Sequence, residues 1–457
     1  MGGKIPRQTL QLVWNAISQL PEKQRNHKPI HVISTDTLVE SPVVAAWVEQ
    51  SLKRLRTAAN EKGMPIQVHR LTPAINDTYW VNLIGRGYPY PRHSFRWCTT
   101  RLKINPANNF IENIISAAGE VILVLGTRKA ESSARKALME SYERRRVREH
   151  LSPNGSMINS YVFSPIQEWT NDNVWQYLMQ HPNPWGHSNK ELLAMYRGAS
   201  ADGECPLVLD TDTPSCGNSR FGCWVCTLVA EDKSMAAMVQ NDEEKAWMLP
   251  LLDFRNEIAA NNEIDRQRRD FRRKDGRLTY HNGRLVHGPY TKKTREYLLR
   301  RLLEVNQYIK HEGPKEVETH PLITLDELRA IRQIWLNEKH EFEDTLPRIY
   351  QEVTGEKFID PAMPGNKYFG QAEWTILAEV CRELYPDEEL LLEMQSTLLD
   401  IESRFDMQAT RRGINKSLEG AIKRAFFKNE EDALVFYKKY QEPINEPSRV
   451  ATDESGG

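Results

Sequence analysis

Apolar positions recur at helical spacing near the start of the chain: Leu10, Val13, Ile17 and Leu20 fall on one stripe of a helix predicted over 8–20. A short buried-strand run follows, His31-Val32-Ile33-Ser34, and Pro42, suited to a first helical turn, opens a second helix. The run from Pro65 to Val68 reads as another strand, and a helix over 109–118 is punctuated by Gly119. Val121 to Leu125 is the strongest strand signal: β-branched, unbroken and apolar at every position, as a strand buried on both faces would be. Such strands, spaced by helices, predict an α/β fold with a parallel sheet flanked by helices. Ligands of these sheets sit at the carboxyl ends of strands, which directs attention to the loops after Ser34 and Leu125.

From about 200 to 230 the texture changes to Cys, Gly, Asp and Pro, and beyond 235 amphipathic helix dominates. Thr324-Leu325-Asp326-Glu327 reads as a capping box. Further helices are predicted over 371–384, 388–405 and 418–427, and the polar last fifteen residues read as disordered. The expected domains are an α/β unit over 1–200, a Cys-rich metal segment over 201–235, a basic hairpin with a mostly helical region over 236–445, and a tail over 446–457.

The length of 457 residues suits two or three domains and a large core without covalent staples. A formal charge of −1 excludes a chain that binds nucleic acid through bulk charge. With a mean hydropathy of −0.61 and no apolar run of about 18 residues, nothing is expected to span a bilayer. The opening MGGKIPRQTL lacks the apolar core of a secretory signal, and Pro6 stands where myristoylation needs Ser or Thr. Six cysteines are no disulfide framework, so a cytoplasmic location is expected.

The most specific chemical signal is Cys205, Cys216, Cys223 and Cys226, spaced C-x10-C-x6-C-x2-C. Four thiolates can enclose one metal centre, and Pro214, Gly217 and Gly222 supply tight turns; spacing alone leaves zinc and an iron–sulfur cluster both open. Gly126-Thr127-Arg128-Lys129, continuing to Arg135, combines close backbone approach with forked anion donors at a strand end. Asp36, Thr37 and Glu40 sit where a nucleotide base or ribose would lie. Cys98, among Arg96, Arg101 and Lys103, is a candidate nucleophile or sulfur carrier with an expected lowered pKa, whereas Cys381 reads as core. The block from Arg266 to Arg301 holds thirteen Lys/Arg against three Asp/Glu, a net of +10 that leaves −11 elsewhere. Within it a β-hairpin turning at Asn282-Gly283 is predicted, whose flanking cations could grip a phosphate backbone. Tyr280, His281 and Tyr290 could stack on bases.

Taken in order, DTLVE, RWCTTRLKINP, VLGTRKAESSAR, PIQEWTNDNVWQYL and CGNSRFGCWVC resemble the phosphoadenosine-phosphosulfate-reductase-like ATP pyrophosphatases over roughly residues 1–235. The cysteine arrangement narrows the likeness to DNA phosphorothioation sulfurtransferases, which the helical remainder also resembles. The resemblance implies an adenine-nucleotide-alpha-hydrolase-like fold that splits ATP, with Mg2+, between its α- and β-phosphates. It implies a [4Fe–4S] cluster on Cys205, Cys216, Cys223 and Cys226. It also implies replacement of a non-bridging DNA phosphate oxygen by sulfur, with DNA, a cysteine desulfurase and other phosphorothioation proteins as partners. Cys98, Arg128 and Arg135 would be catalytic.

The family's phosphate loop reads SGGKDST after a first strand. Gly2, Gly3 and Lys4 fit its middle, but Ile5, Pro6 and Arg7 replace Asp-Ser-Thr, and the first strand is expected to be missing. Pro6 also lacks a backbone N–H that a phosphate cradle would use. An altered start and a loss of ATP hydrolysis are both open. Beside the sulfurtransferase stand two other functions: a non-catalytic DNA-binding subunit with a structural metal, and a reductase of a small adenylated sulfate.

Overall fold

The computed structural model describes residues 4–200, 221–281, 284–360, 370–386, 389–406 and 411–441. The first part of the chain runs α1 (Lys4–Ser18), α2 (Glu22–Arg25), β1 (Ile30–Thr35), α3 (Pro42–Glu61) and β2 (Ile66–Leu71). It continues with α4 (Asn105–Ala118), β3 (Val121–Val124), α5 (Ser133–Glu143), β4 (Ser152–Pro153), β5 (Ser160–Phe163), α6 (Asn171–Gln180) and α7 (Asn189–Gly198). Pro42 occupies the first turn of α3, where its missing N–H costs nothing, and Gly119, at φ +84°, ends α4. Leu10 and Trp14 of α1 pack against Leu55, Ala58 and Ala59 of α3 and Ile66 of β2. The helix ends at Ser18, so Leu20 lies beyond the predicted stripe and is exposed.

The sheet differs from the expected one. β1 pairs in parallel with β2, Ile30 opposite Ile66, and β3 pairs in parallel with β5, Val121 opposite Ser160. β4 adds to β5 antiparallel. Among the described residues no strand joins β1 to β3, so two small sheets stand in place of one, and helix α4 touches both. The expectation that β3 is buried on both faces is corrected: Ile122 is 52% exposed, and Val124 and Leu125 are exposed too. Periodicity registers an apolar strand but not whether a layer covers its second face.

Beyond the Cys-rich stretch come α8 (Lys233–Asn241), α9 (Leu249–Ile258) and α10 (Asn262–Gln267), then β6 (Tyr280–His281) and β7 (Arg284–Leu285). The hairpin forms as predicted, with Tyr280 opposite Leu285; its turn residues lie outside the described ones. Then follow α11 (Lys292–Glu312), α12 (Lys315–Glu318), α13 (Leu325–Glu338), α14 (Thr345–Thr354), α15 (Gln371–Leu384), α16 (Glu389–Asp406), α17 (Ile414–Arg424) and α18 (Glu430–Gln441). The Thr324–Glu327 capping box opens α13: Glu327 N–H donates to the Thr324 hydroxyl, and Thr324 N–H donates to the Glu327 carboxylate at 2.9 Å. Cys381 is buried, as its helical stripe indicated.

The largest core cuts across the expected boundaries at 200 and 235. Trp80 and Leu83 pack with Trp224, Phe254, Leu299 and Trp335. Trp80 Nε1 donates to the Leu322 carbonyl at 2.7 Å and Trp335 Nε1 to the Ile84 carbonyl at 3.1 Å, so each indole N–H is satisfied as it is buried. No described helix is long and apolar enough to cross a membrane.

Candidate functional site

The loop leaving β1 is the focus. Asp36 accepts from the Leu38 N–H at 2.8 Å, closing a turn that holds Leu38 at φ +63°, a conformation a leucine adopts only under constraint. Its second carboxylate oxygen accepts from Arg70 Nε at 2.8 Å. The Thr37 hydroxyl donates to Glu40 Oε1 at 2.8 Å and lies 3.3 Å from Cys223 Sγ. Backbone bonding ties the same two segments, since Trp224 N–H donates to the Val39 carbonyl at 3.0 Å. A cavity of about 160 Å³ opens beside this loop, lined by Ser34, Asp36, Glu40, Val44, Arg70 and Phe221. That is smaller than whole-ligand sites and suits one moiety of a ligand.

Cys98 packs against the same core as Val39 and Cys223. It immediately precedes a π-helical turn, Thr99–Ile104, a local widening of the helix that recurs at functional sites. The turn presents Lys103 to Cys223, Glu40, Cys226 and Cys98, which together raise its pKa. The expected thiolate character of Cys98 is corrected: burial pushes its pKa up and outweighs the Lys103 charge. Arg101 pairs instead with Asp77, and Arg96 with His93. Burial raises the Glu40 carboxyl and holds the Cys223 thiol at about 12.

Cys223 and Cys226 form a tight turn, with Cys226 N–H donating to the Cys223 carbonyl at 3.0 Å. The fully buried Arg255 fastens the segment behind it, donating to the carbonyls of Cys226 at 2.8 Å and Ala230 at 2.8 Å, and to that of Val229. Cys205 and Cys216 lie outside the described residues, as do Gly2 and Gly3. Among the described residues no group of three or more His, Cys, Asp or Glu converges closely enough to hold a metal. The CxxC turn fits a soft-metal centre as half of a four-thiol set.

The second loop is built differently. Gly126 abuts the first turns of α1: a Cβ there would fall 2.6 Å from Ile5 Cγ2 and 2.7 Å from Thr9 Oγ1. Thr127 Oγ1 lies 2.8 Å from Ser164 Oγ. Arg128 is buried, its pKa lowered by that burial, while Arg135 is 45% exposed and pairs with Glu131. Gly126 thus meets the start of α1, and Glu40, Cys98, Cys223 and Cys226 gather around Lys103.

Residues 10–228 match the phosphoadenosine phosphosulfate reductase domain. The matched stretch is just under half of the chain and includes the loops that follow β1 and β3 and the Cys223–Cys226 turn. An uncharacterized protein of Methanocaldococcus jannaschii is 25% identical over 184 residues, 40% of this chain. The aligned part spans 31% of that relative's length. No solved structure matches the chain.

Sequence reading missed several participants. Arg7 is fully buried, with its guanidinium 4.8 Å from the Trp47 ring and a hydrogen bond to the His187 carbonyl. His187 stacks on the same Trp47 ring, 4.4 Å between centroids, and burial and Arg7 push its pKa down to about 4. Only the absence of Thr at position 7 marked this place. Tyr79, buried among the thiols, left no sequence signal. In the basic hairpin, Tyr280 stacks on Tyr437 at 3.5 Å and the Tyr290 hydroxyl donates to Asp265, so neither ring is free for a base.

Proposed function

We propose that this chain transfers sulfur to DNA: ATP adenylates a backbone phosphate with release of pyrophosphate, the outer sulfur of a Cys98 persulfide displaces AMP, and a thiol reductant then cleaves the resulting S–S bond, leaving phosphorothioate on the DNA and a disulfide on the reductant side. The observation that carries this reading is the joining of thiol and nucleotide-side groups by one loop, through Thr37, Glu40 and Cys223. ATP with Mg2+ would engage Asp36, Thr37 and Glu40 on one wall and Gly126, Thr127 and Arg128 on the other. Arg128 and Arg135 would neutralise phosphate charge, and Lys4 would continue a cradle begun by Gly2 and Gly3. Cys98 would carry the sulfur handed over by a cysteine desulfurase, beside Lys103, which balances the thiolate that forms. A [4Fe–4S] cluster, held by Cys205, Cys216, Cys223 and Cys226, would supply electron transfer when bound. DNA and companion phosphorothioation proteins complete the system.

The test is pyrophosphate release from ATP by anaerobically purified protein, with duplex DNA and a persulfide donor, followed by mass spectrometry of the digested DNA. Release that depends on Cys98 for phosphorothioate but not for pyrophosphate supports the reading. No release and no sulfur in DNA refutes it.

One observation favours a second reading, a non-catalytic DNA-binding subunit. Ile5, Pro6 and Arg7 lie inside helix α1, where the Arg7 guanidinium packs on Trp47 and donates to the His187 carbonyl. DNA binding without any nucleotide turnover would select it.

A further inference from the structure

The basic block is mostly neutralised by its own protein. Among the described residues, eight of the thirteen cations between Arg266 and Arg301 pair with a carboxylate, including Arg266 with Glu430, Arg295 with Glu341 and Lys292 with Glu343. Lys274 is an exception, and two cations from outside the block meet it. Arg424, at the end of α17, donates to the Lys274 carbonyl, while Arg272 donates to the Arg424 carbonyl. Gly276, at φ +80°, lets this turn press on α17: a Cβ would lie 2.6 Å from Arg424 Cγ. Lys339, which follows α13, faces the same charges. Burial, then Arg295, Arg424 and Lys274, push its ammonium down to about 7 against the pull of Glu341.

No carboxylate pairs with Lys274, Lys339 or Arg424 among the described residues. The acids nearby are engaged already, Glu341 by Arg295, Asp275 by Arg277 and Asp270 by Arg272. Lys274 is exposed and the other two are half-buried, so the group opens to solvent. Two of these cations are held together by backbone hydrogen bonds between separate segments, and among the described residues none of the three has an acid of its own, which leaves a charge that an anion would satisfy.

We propose that Lys274, Lys339 and Arg424 form a seat for phosphodiester groups of a nucleic-acid backbone. The inference rests on the sulfur-transfer reading only for the polymer being DNA. It moves the contact surface from the hairpin to the 274–276 turn and the end of α17 that it presses on.

The test is binding of a fluorescent duplex oligonucleotide to the full chain across a salt series, with inorganic pyrophosphate as competitor and pyrophosphate release from ATP followed in the same preparations. The variant combines Lys274→Gln, Lys339→Gln and Arg424→Gln; the control combines Arg284→Gln and Lys293→Gln, cations of the block without a carboxylate partner. The seat predicts a salt slope shallower by about 2–3 in the triple variant, and affinity at least about tenfold weaker at moderate salt, with a smaller change in the control. Lys339→Gln alone, whose side chain gives up no hydrogen bond, is expected at pH 6, where the Lys339 ammonium is charged, to show about one unit of that slope change and an undiminished melting temperature. Equal slopes in parent and triple variant overturn the seat while the DNA reading stands. Loss of duplex binding in the triple variant, with no turnover in any protein, keeps the seat and removes sulfur transfer. A parent that binds pyrophosphate but no duplex overturns the polymer assignment.

Discussion

Thr37 Oγ1 lies 3.3 Å from Cys223 Sγ, although 186 positions separate the two in the chain. The same hydroxyl donates to Glu40, so one small side chain registers the strand-end loop against the cysteine turn. Thr37→Val removes this donor while keeping shape, and leaves buried Glu40 short of a partner. We expect a loss of about 1–2 kcal/mol in thermal or denaturant melts, with Thr37→Ser recovering most of it. A Val variant as stable as the parent would show that the backbone bridge at Glu40 and Cys223 alone sets the register.

Gly126→Ala puts a methyl group 2.6 Å from Ile5 Cγ2 and 2.7 Å from Thr9 Oγ1. The helix start must move, at a cost of about 1–3 kcal/mol. Adding Ile5→Ala should return part of that stability, and calorimetry of the single and double variants measures the coupling. Additive losses would place the strain elsewhere.

His187 predicts a pH dependence with a definite sign. Its folded pKa is about 4, below an unfolded value near 6.5, so the folded form favours the neutral ring. Its contribution is complete above about pH 6.5 and is lost as pH falls toward 4, because the unfolded chain then binds the extra proton. The loss is at most about 3 kcal/mol, lessened by Glu191, whose carboxylate lies 3.8 Å from Nε2. The difference in stability between His187→Gln and the parent, followed by denaturant unfolding from pH 7 to 4.5, should shrink toward acid. A constant difference would contradict the assignment.

How far the sequence revealed this molecule depends on what each element needs to be recognised. Helix α15 at Gln371–Leu384 and the Thr324–Glu327 cap were legible because spacing and capping chemistry are local. The exposed face of β3 was not, since Ile122 and Val124 look the same whether a layer covers them or not. Around Cys98 the charges were legible and their directions were not. Arg96 and Arg101 are nearest in sequence yet turn to His93 and Asp77, while Lys103 is carried back by the π-helical turn. The meeting of Thr37 with Cys223 depends on tertiary pairing and has no local signal at all.

Arg255→Met should loosen the segment behind the CxxC pair, because the carbonyls of Cys226, Val229 and Ala230 lose their charged donor. We expect at least about 3 kcal/mol of destabilisation, and less bound metal per chain in anaerobic preparations. Unchanged melting and unchanged metal content would show that water or a neighbour takes over these carbonyls.

Cys223→Ser and Cys226→Ser should each abolish visible charge-transfer absorbance and most bound iron, whereas Cys381→Ser should leave both intact. Cys381 sits in the helical core beside Gln395, remote in sequence from the CxxC turn. Stoichiometric zinc without colour in the parent would assign a structural centre instead.

The two parallel strand pairs share no ladder among the described residues, yet each bears one of the two loops. Rows of backbone hydrogen bonds are the stiffest cross-link a sheet has, and here they stop short between the halves. Helix α4, touching both, supplies side-chain packing, which resists sliding less than a ladder does. Over the described residues the two strand pairs are therefore closer to two plates on a shared bearing than to one slab. A nucleotide gripping both loops would act as the tie rod, part of its binding free energy going into stiffness. Amide exchange should then slow in both plates at once, with the largest change in Ile30–Thr35 and Val121–Val124.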